Sequence, residues 1–395
     1  MLRLALSAFL LLSLAVPAAA REQRAHLRDW GVELGQYPTG KWNAITDVRG
    51  VRVGQVTLNE GSGRLDPGQG PVRTGVTAII PRDDIWHHKC FAGRFVLNGN
   101  GEVTGLDWLH EAGWLETPII LTDTLSVGRA MDGVVDWMED RYPLMGRGDD
   151  VVLPIVGECD DEFLNDQRGR HVHPEDVVRA LDAARTGPVA EGCVGAGTGM
   201  NAYRFKAGIG TASRVLPAKD GGYTVGVLVN ANMGFREDLR MAGVPIGREI
   251  PDLMPKVGTP DGSILMIVAT DAPLLPDQLD RLAKRAALGL ARTGSTAANS
   301  SGDFAVAFST AADLPHDPKT LTQTVTMVHT QDITPLFEAT VEATEEAIYN
   351  ALTMATTTVG RDGNTTYAIP LDRLKTLLTQ AGRIPAKSQV LQPAH

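Results

Sequence analysis

Residues 256–270 read KVGTPDGSILMIVAT, a loop containing glycine and proline that runs directly into a continuous apolar segment. The apolar part, residues 263–270, is short and rich in β-branched side chains, which is typical of a strand buried on both faces. Gly262 and Ser263 therefore form the junction between an irregular loop and a core strand. As a pattern alone, this junction is compatible with an ordinary connection, so any chemistry assigned to it must rest on the rest of the chain.

The neighbouring segments alternate between strand and helix patterns. Residues 223–230 (YTVGVLVN) and 303–310 (DFAVAFST) have strand composition, while residues 276–292 place apolar side chains three or four apart and precede Gly294, a residue suited to end a helix. Strands are also predicted at residues 44–58 (two short strands and a turn), 76–80, 119–121 and 151–156, and helices at residues 102–112, 173–184, 338–357 and 371–381. This mixed order predicts a layered α/β or α+β architecture in which helices cover a pair of sheets.

Composition excludes several classes of protein. The formal net charge of −10 over 395 residues repels nucleic acid, which we do not expect as a partner. An apolar content of 43% without low-complexity tracts predicts one large globular unit. Three cysteines allow at most one internal disulfide, so packing must hold the core together.

The N-terminal twenty residues have the pattern of an export signal. Arg3 supplies a positive charge, residues 4–16 are apolar, and residues 17–20 (PAAA) end in a small-residue cleavage site. The apolar run is too short to span a bilayer core, which takes about 20 apolar residues. The sequence therefore predicts a signal peptide at residues 1–20, a mature chain from about Arg21, and a periplasmic or secreted product that leaves the membrane once the signal is removed.

Three motifs of well-known sites are incomplete. Residues 195–200 (GAGTGM) begin like a dinucleotide-binding loop but have Met200 where the third glycine belongs, so turn-forming glycines lining a site are the favoured interpretation. No G-x-S-x-G nucleophile elbow occurs. Cys159 follows an apolar run and has no evident histidine partner, which favours a partly buried thiol over a nucleophile.

Histidines occur in two close groups, His87-His88-x-Cys90 and His171-x-His173. Neither group is followed by the remaining ligands of a tetrahedral zinc set at a characteristic spacing, so surface or helix-capping roles are favoured. The sequence accordingly predicts no metal and no organic cofactor.

Five segments besides the Gly262-Ser263 junction occur in a distinctive order: NAITDV at 43–48, NGNGE at 98–102, GAGTGM at 195–200, GIGTASR at 208–214 and VNAN at 229–232. Over nearly the whole mature chain they resemble the self-processing N-terminal-serine aminopeptidases, which include the L-aminopeptidase/D-esterase-amidases and the β-peptidyl aminopeptidases. The resemblance implies self-cleavage into an α chain, residues 21–262, and a β chain, residues 263–395. It further implies an αββα sandwich, an α+β fold resembling N-terminal-nucleophile hydrolases with different connectivity, and assembly as a tetramer of αβ pairs.

The resemblance also assigns residues to the reaction. Ser263 corresponds to the nucleophile, and Ser301 and Asp303 to the polar pair that orients or deprotonates it, although the family often has glutamate at the position of Asp303. Asn232 corresponds to the asparagine that stabilises the oxyanion, with Asn230 as an alternative two residues away.

On the substrate side, Glu158 corresponds to the glutamate that holds the ammonium group of the substrate. Asp160 stands where some relatives have a tyrosine that contributes to the oxyanion hole.

These assignments agree with elementary chemistry. Cleavage before Ser263 frees an α-amino group with a pKa of about 7.7–8.0, which is a base attached to the nucleophile itself. Gly262 lacks a side chain and tolerates the strained approach that an attack on its own carbonyl requires. A carboxylate such as Glu158 in a closed pocket would pair with a free amino terminus and so confer exopeptidase character.

The predicted activity is therefore release of N-terminal residues from small peptides, amides or esters through an acyl-enzyme on Ser263. Two alternatives stay open: an acyltransferase of the ornithine acetyltransferase type, against which the serine and the signal peptide argue, and an exported binding protein without turnover. The sequence does not distinguish L-α, D-α and β-amino-acid substrates, which differ by the position of one side chain or methylene.

Overall fold

The computed structural model describes residues 23–256 and 262–385. Within these residues the helices are α1 Leu106–Ala112, α2 Val127–Arg141, α3 Pro174–Asp182, α4 Ile246–Glu249, α5 Pro276–Arg292, α6 Thr334–Thr353 and α7 Leu371–Gln380. The strands are β1 Arg52–Glu60, β2 Val72–Ile80, β3 His88–Gly99, β4 Trp114–Leu115, β5 Ile119–Asp123, β6 Ile155–Cys159, β7 Asn201–Ala202, β8 Phe205–Lys206, β9 Ile209–Val215, β10 Thr224–Asn232, β11 Ser263–Thr270, β12 Gly302–Ser309, β13 Leu314–Pro315, β14 Thr358–Val359 and β15 Thr365–Thr366.

Two large sheets dominate the molecule. The smaller has the order β1-β2-β5-β6, and the larger has the order β13-β3-β12-β11-β10-β9 with β4 paired to β3. Neighbouring strands are antiparallel except for β5 with β6 and β11 with β12, which are parallel. The predicted strand at residues 263–270 is thus central, with a partner strand on each side.

Four layers result from the way these sheets bury their faces. Helices α2 and α3 cover the outer face of the small sheet, and α5 and α6 cover the outer face of the large one. Along β11, Ile264 and Met266 belong to the core under the helices, whereas Leu265 and Ile267 belong to the core between the two sheets. A strand buried on both faces must be apolar throughout, which explains the continuous run after Ser263. The αββα sandwich of an α+β fold is confirmed.

Two elements begin later than the sequence pattern predicts. Residues 44–58 do not contain two strands, because Ile45–Asp47 forms a single turn of 3-10 helix and only β1 follows. The helix predicted at residues 102–112 begins after Gly105, which has a φ of 70° and occupies the left-handed region. A turn of 3-10 helix before β1 and a left-handed glycine before α1 decide where these elements begin, and the apolar pattern shows neither.

The strand predicted at residues 151–156 is also displaced. Val151 and Leu153 are 60% and 46% exposed, and β6 begins only at Ile155. The reason is the parallel pairing of β6 with β5, in which Ile155 lies opposite Ile119. The apolar residues ahead of Ile155 have no strand to pair with at that level.

The predicted signal peptide at residues 1–20 and the predicted start of the mature chain near Arg21 lie outside the described residues. Among the residues that are described, no helix combines the length and the apolar character needed to cross a bilayer.

Candidate active site

Ser263 lies where the ends of three central strands meet. It is the first residue of β11, opposite Asn232 at the end of β10 and opposite Gly302 at the start of β12. Its side chain is buried. The sequence-predicted nucleophile and the predicted oxyanion residue are therefore direct cross-strand neighbours, whereas the alternative Asn230 lies opposite Leu265, farther into the sheet.

Gly262 packs tightly against the backbone of β10. A Cβ atom at this position would lie 1.7 Å from the carbonyl oxygen of Asn232, so no other residue fits without moving the strand. This contact holds the peptide that precedes Ser263 against the end of β10. Position 262 therefore requires glycine for steric reasons, which the sequence pattern alone could only suggest.

The predicted Ser301 and Asp303 pair is present and buried. The Ser301 hydroxyl donates to Asp303 Oδ1 over 2.6 Å, and Asn98 Nδ2 donates to Asp303 Oδ2 over 3.0 Å. Burial raises the pKa of Asp303, while the hydrogen bonds from Ser301 and Asn98 act in the opposite direction. Ser301 lines a cavity of ≈ 30 Å³ together with Gly262 and Asn232, which brings the pair to the Ser263 junction.

The Asn232 amide is held in one orientation. Its Oδ1 accepts from the backbone N–H of Asn201 over 2.9 Å, and its Nδ2 donates to the carbonyl oxygen of Asp160 over 2.7 Å. An amide nitrogen carries two hydrogens, so one donor remains. In contrast, both polar side-chain atoms of Asn230 are buried and have no hydrogen-bond partner among the described residues.

Asp160 contributes its backbone rather than its side chain to this arrangement. Its carboxylate accepts from the backbone N–H of Glu162 and from Gln167 Nε2. A carboxylate that only accepts hydrogen bonds cannot donate to an oxyanion. Asp160 thus offers no substitute for a tyrosine hydroxyl, but its carbonyl fixes the Asn232 amide.

Glu158 approaches from the small sheet, at the end of β6. Its Oε1 accepts from the backbone N–H of Glu102 over 3.0 Å, and its Oε2 accepts from the Thr124 hydroxyl. The side chain is buried, and burial raises the pKa of Glu158, as does the charge of the neighbouring Asp160, while the two hydrogen bonds lower it. A carboxylate in such surroundings is stabilised by a cationic partner.

Cys159 is a neighbour of Ser263 that sequence reasoning missed. The prediction of a partly buried thiol is wrong in degree, since Cys159 is completely buried. Burial raises the pKa of its thiol well above the usual range, and a hydrogen bond with Ser263 acts in the opposite direction. The only sequence signal was its position directly after Glu158, from which β6 brings both residues toward β11.

The rejected motifs serve structural roles. Gly195 and Gly197 lie in a buried turn in which a Cβ at Gly197 would come within 2.4 Å of the Ile209 nitrogen. His88 pairs with the carboxylate of Asp313, and Cys90 is buried. In residues 23–256 and 262–385, no group of three or more His, Cys, Asp or Glu side chains is arranged to hold a metal ion.

The protein has two helix layers that enclose two sheets, and a serine lies at the start of a central strand. This is the architecture of an N-terminal-nucleophile hydrolase. The sequence model of peptidase family S58 matches residues 43–366. The chain belongs to this family, and it is a serine aminopeptidase or amidase.

Several relatives match almost the full length of the chain. A β-peptidyl aminopeptidase from Sphingosinicella microcystinivorans is 45% identical over 389 residues, which cover 94% of this chain and 96% of the relative. A Burkholderia β-aminopeptidase structure has a TM-score of 0.84 and 48% identity, covering 91% of this chain and 99% of that one. The L-aminopeptidase D-Ala-esterase/amidase of Ochrobactrum anthropi, described as a variant of the N-terminal-nucleophile hydrolase fold, has a TM-score of 0.85 and 41% identity, covering 91% and 99%.

Proposed function

We propose that the protein cleaves its own chain between Gly262 and Ser263 and then uses Ser263 to release N-terminal residues from small peptides, amides or esters that carry a free amino group. The observation that carries this proposal is the position of Ser263 at the mouth of β11, opposite Asn232, with Gly262 pressed against the same strand end. The nucleophile, the bond to be cut and an oxyanion donor are neighbours in one place.

Maturation would proceed by an acyl shift. The Ser263 hydroxyl oxygen attacks the Gly262 carbonyl carbon, the bond from that carbon to the Ser263 nitrogen breaks, and the acyl group moves to oxygen while the hydroxyl proton passes to the nitrogen. Water then hydrolyses the ester, leaving a carboxylate on Gly262 and a free α-amino group on Ser263. The base for later cycles is thereby created at the nucleophile.

In each later cycle the Ser263 hydroxyl attacks the substrate carbonyl and passes its proton to the α-amino group. The remaining N–H of Asn232 faces the negative charge that develops on the substrate oxygen, and loss of such a donor costs about 2.7–4 kcal/mol in known cases. The proton then goes to the leaving amine, and water hydrolyses the acyl-enzyme. Ser301 and Asp303 orient the hydroxyl and its proton.

Glu158 would hold the substrate's ammonium group. We expect Glu158→Gln to mature normally but to lose about tenfold or more in kcat/KM for substrates with a free amino terminus, because a charge-assisted hydrogen bond is lost. The measurement compares a free-amino anilide with its N-acetylated form in parent and variant.

Glu102→Gln is the matched control for this variant. Glu102 has an exposed carboxylate close to Glu158, so the variant removes a nearby negative charge. The backbone N–H of residue 102, which donates to Glu158, is unchanged. If Glu158→Gln treated both substrates as the parent does, Glu158 would not be the amine anchor.

The names of the relatives define the substrate panel, namely N-terminal β-amino acids, L-α residues and D-alanine esters or amides. We also propose export through residues 1–20 and assembly as a tetramer of αβ pairs. Neither alters the chemistry at Ser263.

The proposal is tested by intact mass spectrometry of active protein. We expect two chains, one from about Arg21 to Gly262 and one from Ser263 to His395, together with release of an N-terminal residue from at least one substrate of the panel. One unbroken chain in fully active protein would disprove self-cleavage, and two chains without release from any substrate would favour a binding protein.

A further inference from the structure

Lys206 is a buried lysine of β8 to which the proposed mechanism gives no role. Its side chain is completely buried. Its Nζ atom lies 3.2 Å from the carbonyl oxygen of Gly197, 2.7 Å from that of Met200 and 2.8 Å from that of Ala207. Three carbonyl acceptors use all three hydrogens of an ammonium group, whereas a neutral amine has only two, so this is the geometry of a buried cation.

The thiol of Cys193 is the electrostatic neighbour of this ammonium group. Its sulfur accepts from the backbone N–H of Thr356 over 3.3 Å and lies 3.7 Å from the Thr358 hydroxyl oxygen. Burial opposes ionisation of the thiol, but the charge of Lys206 and the threonine donors outweigh burial and lower the pKa of Cys193. Burial also lowers the pKa of Lys206, and Cys193 acts in the opposite direction. Each group therefore favours the charged form of the other.

Lys206 is connected to Asn232 through a single peptide group, which consists of the Met200 carbonyl and the Asn201 N–H. Lys206 donates to the carbonyl over 2.7 Å. At the other end of the same peptide, the Asn201 N–H donates to Oδ1 of Asn232 over 2.9 Å. The side-chain amide of Asn232 then has its accepting oxygen on the Asn201 side and its Nδ2 hydrogens at the opposite end. A cation, a peptide and a side-chain amide thus follow one another in a continuous hydrogen-bond chain.

Hydrogen bonds in such a chain strengthen one another. An ammonium group that draws electron density from a carbonyl makes the N–H of the same peptide a stronger donor, and the next amide is polarised in the same sense. In both amides the N–H end, which is the positive end of the dipole, is directed away from Lys206. One hydrogen on Nδ2 of Asn232 donates to the Asp160 carbonyl, and the other is the donor that the proposed function assigns to the oxyanion. The buried charge therefore acts at the oxyanion through two amides.

We propose that Lys206 is a positioning residue for Asn232: through the shared peptide group it fixes the Asn232 amide and polarises its N–H toward the negative charge that develops on the substrate oxygen. The inference rests on the proposed function, because it takes the oxyanion role of Asn232 from it. It also gives the glycine-rich segment at residues 195–200 a purpose beyond turn formation, since this segment presents two of the three carbonyls that Lys206 binds. Lys206 itself touches no substrate atom in this scheme.

Arg236 provides a matched control, because it is a second buried cation that holds the hairpin of β7 and β8. It donates to the carbonyl oxygens of Tyr203 and Arg204 in the turn of this hairpin, over 2.9 Å and 2.7 Å. Neither carbonyl belongs to the peptide that contacts Asn232. Loss of either cation leaves buried carbonyls without a donor, so Arg236→Gln and Lys206→Gln are both expected to lower the thermal unfolding midpoint. Only the change at Lys206 should slow catalysis.

The test measures kcat and KM of the matured enzyme for release of an N-terminal residue from a p-nitroanilide. We expect Lys206→Gln to lower kcat about tenfold while KM changes by less than about twofold, because an oxyanion donor acts mainly in the transition state. Lys206→Met removes every donor and is expected to lose more activity. Lys206→Gln keeps an amide that can still donate to the carbonyls, so it tests the inference even where Lys206→Met does not fold. Arg236→Gln should keep the parental kcat.

A double-variant cycle with Asn232→Ala then tests the route. If Lys206 acts through Asn232, adding Lys206→Gln to Asn232→Ala should lower kcat little further. The inference would be overturned by losses that multiply, by a parental kcat in Lys206→Gln, or by an equal loss of kcat in Arg236→Gln. An Asn232→Ala enzyme as fast as the parent would instead refute the oxyanion role of Asn232 in the proposed function, and that result is recognised without any change at Lys206.

Discussion

Ser263→Ala is expected to remain one precursor chain and to lose aminopeptidase activity by a factor on the order of 10⁶, as removal of a serine nucleophile does elsewhere. The reason is that in the proposed mechanism one oxygen performs both reactions: it attacks the Gly262 carbonyl once and the substrate carbonyl in every later cycle. Alanine at the mouth of β11 keeps the strand pairing with Asn232 and Gly302, because that pairing uses only backbone groups. Denaturing electrophoresis and a release assay on the same preparation measure both effects.

Two variants make this result specific. Ser263→Cys keeps a nucleophile and is expected to mature, since a thiol performs the same acyl shift. Ser309→Ala removes another buried hydroxyl, at the far end of β12, where it donates to the Ala272 carbonyl over 2.6 Å. Ser309→Ala should mature and remain active, whereas a Ser263→Ala protein that appeared as two chains, or that still released amino acids, would contradict the assignment of the nucleophile.

The elements that could be predicted to the residue are those whose signals are local. Strand β11 and helix α5 both match the sequence interpretation, because an apolar strand buried on two faces and a helix bounded by Pro276 and Gly294 carry their own limits. Helix α2 was not predicted, since glycines interrupt its pattern. One of them, Gly133, lets α2 approach α3 so closely that a Cβ would lie 2.6 Å from the Pro174 carbonyl oxygen. Such a contact between two helices depends on the tertiary structure, so the sequence of α2 alone does not reveal it.

In the candidate site, too, some residues could be predicted from the sequence and others could not. The residues that resemble a known family could be placed in advance, and Ser263, Asn232, Ser301 and Asp303 do come together. The residues that hydrogen-bond to them could not be placed in advance. Asn98 is 205 residues from its partner Asp303 in the sequence, and Asp160, whose carbonyl accepts from Asn232, is 72 residues away. Register between distant strands decides these contacts, and no short motif encodes it.

Ser301 and Asp303 are expected to act as one unit in turnover. Ser301→Ala and Asp303→Asn should each reduce kcat by about 10²–10⁴-fold, the usual effect of losing a group that assists proton transfer. Ser301→Ala removes the 2.6 Å hydrogen bond between the two side chains, and Asp303→Asn removes the negative charge that strengthens it, so in the proposed mechanism each change leaves the other residue less able to orient the Ser263 hydroxyl. The variants are measured by release of an N-terminal residue from a p-nitroanilide at saturating substrate.

The loss of activity in Asp303→Asn should reflect slower catalysis and not a less stable fold. Burial raises the pKa of Asp303, so its negative charge is unfavourable to the folded state, and an uncharged asparagine of the same size is not expected to lower the thermal unfolding midpoint appreciably. Asp303→Glu restores a carboxylate of the length that the family often has. It is expected to retain more activity than Asp303→Asn.

The double variant Ser301→Ala, Asp303→Asn provides the sharpest measurement. If the two side chains work through their mutual hydrogen bond, the double variant should be about as slow as the slower single variant, since the second change removes nothing that the first has left intact. Losses that multiplied would show that Ser301 and Asp303 act on Ser263 independently. The 2.6 Å contact between them would then be a packing feature of the β12 entrance, and the proton path would have to be assigned to the Ser263 α-amino group alone.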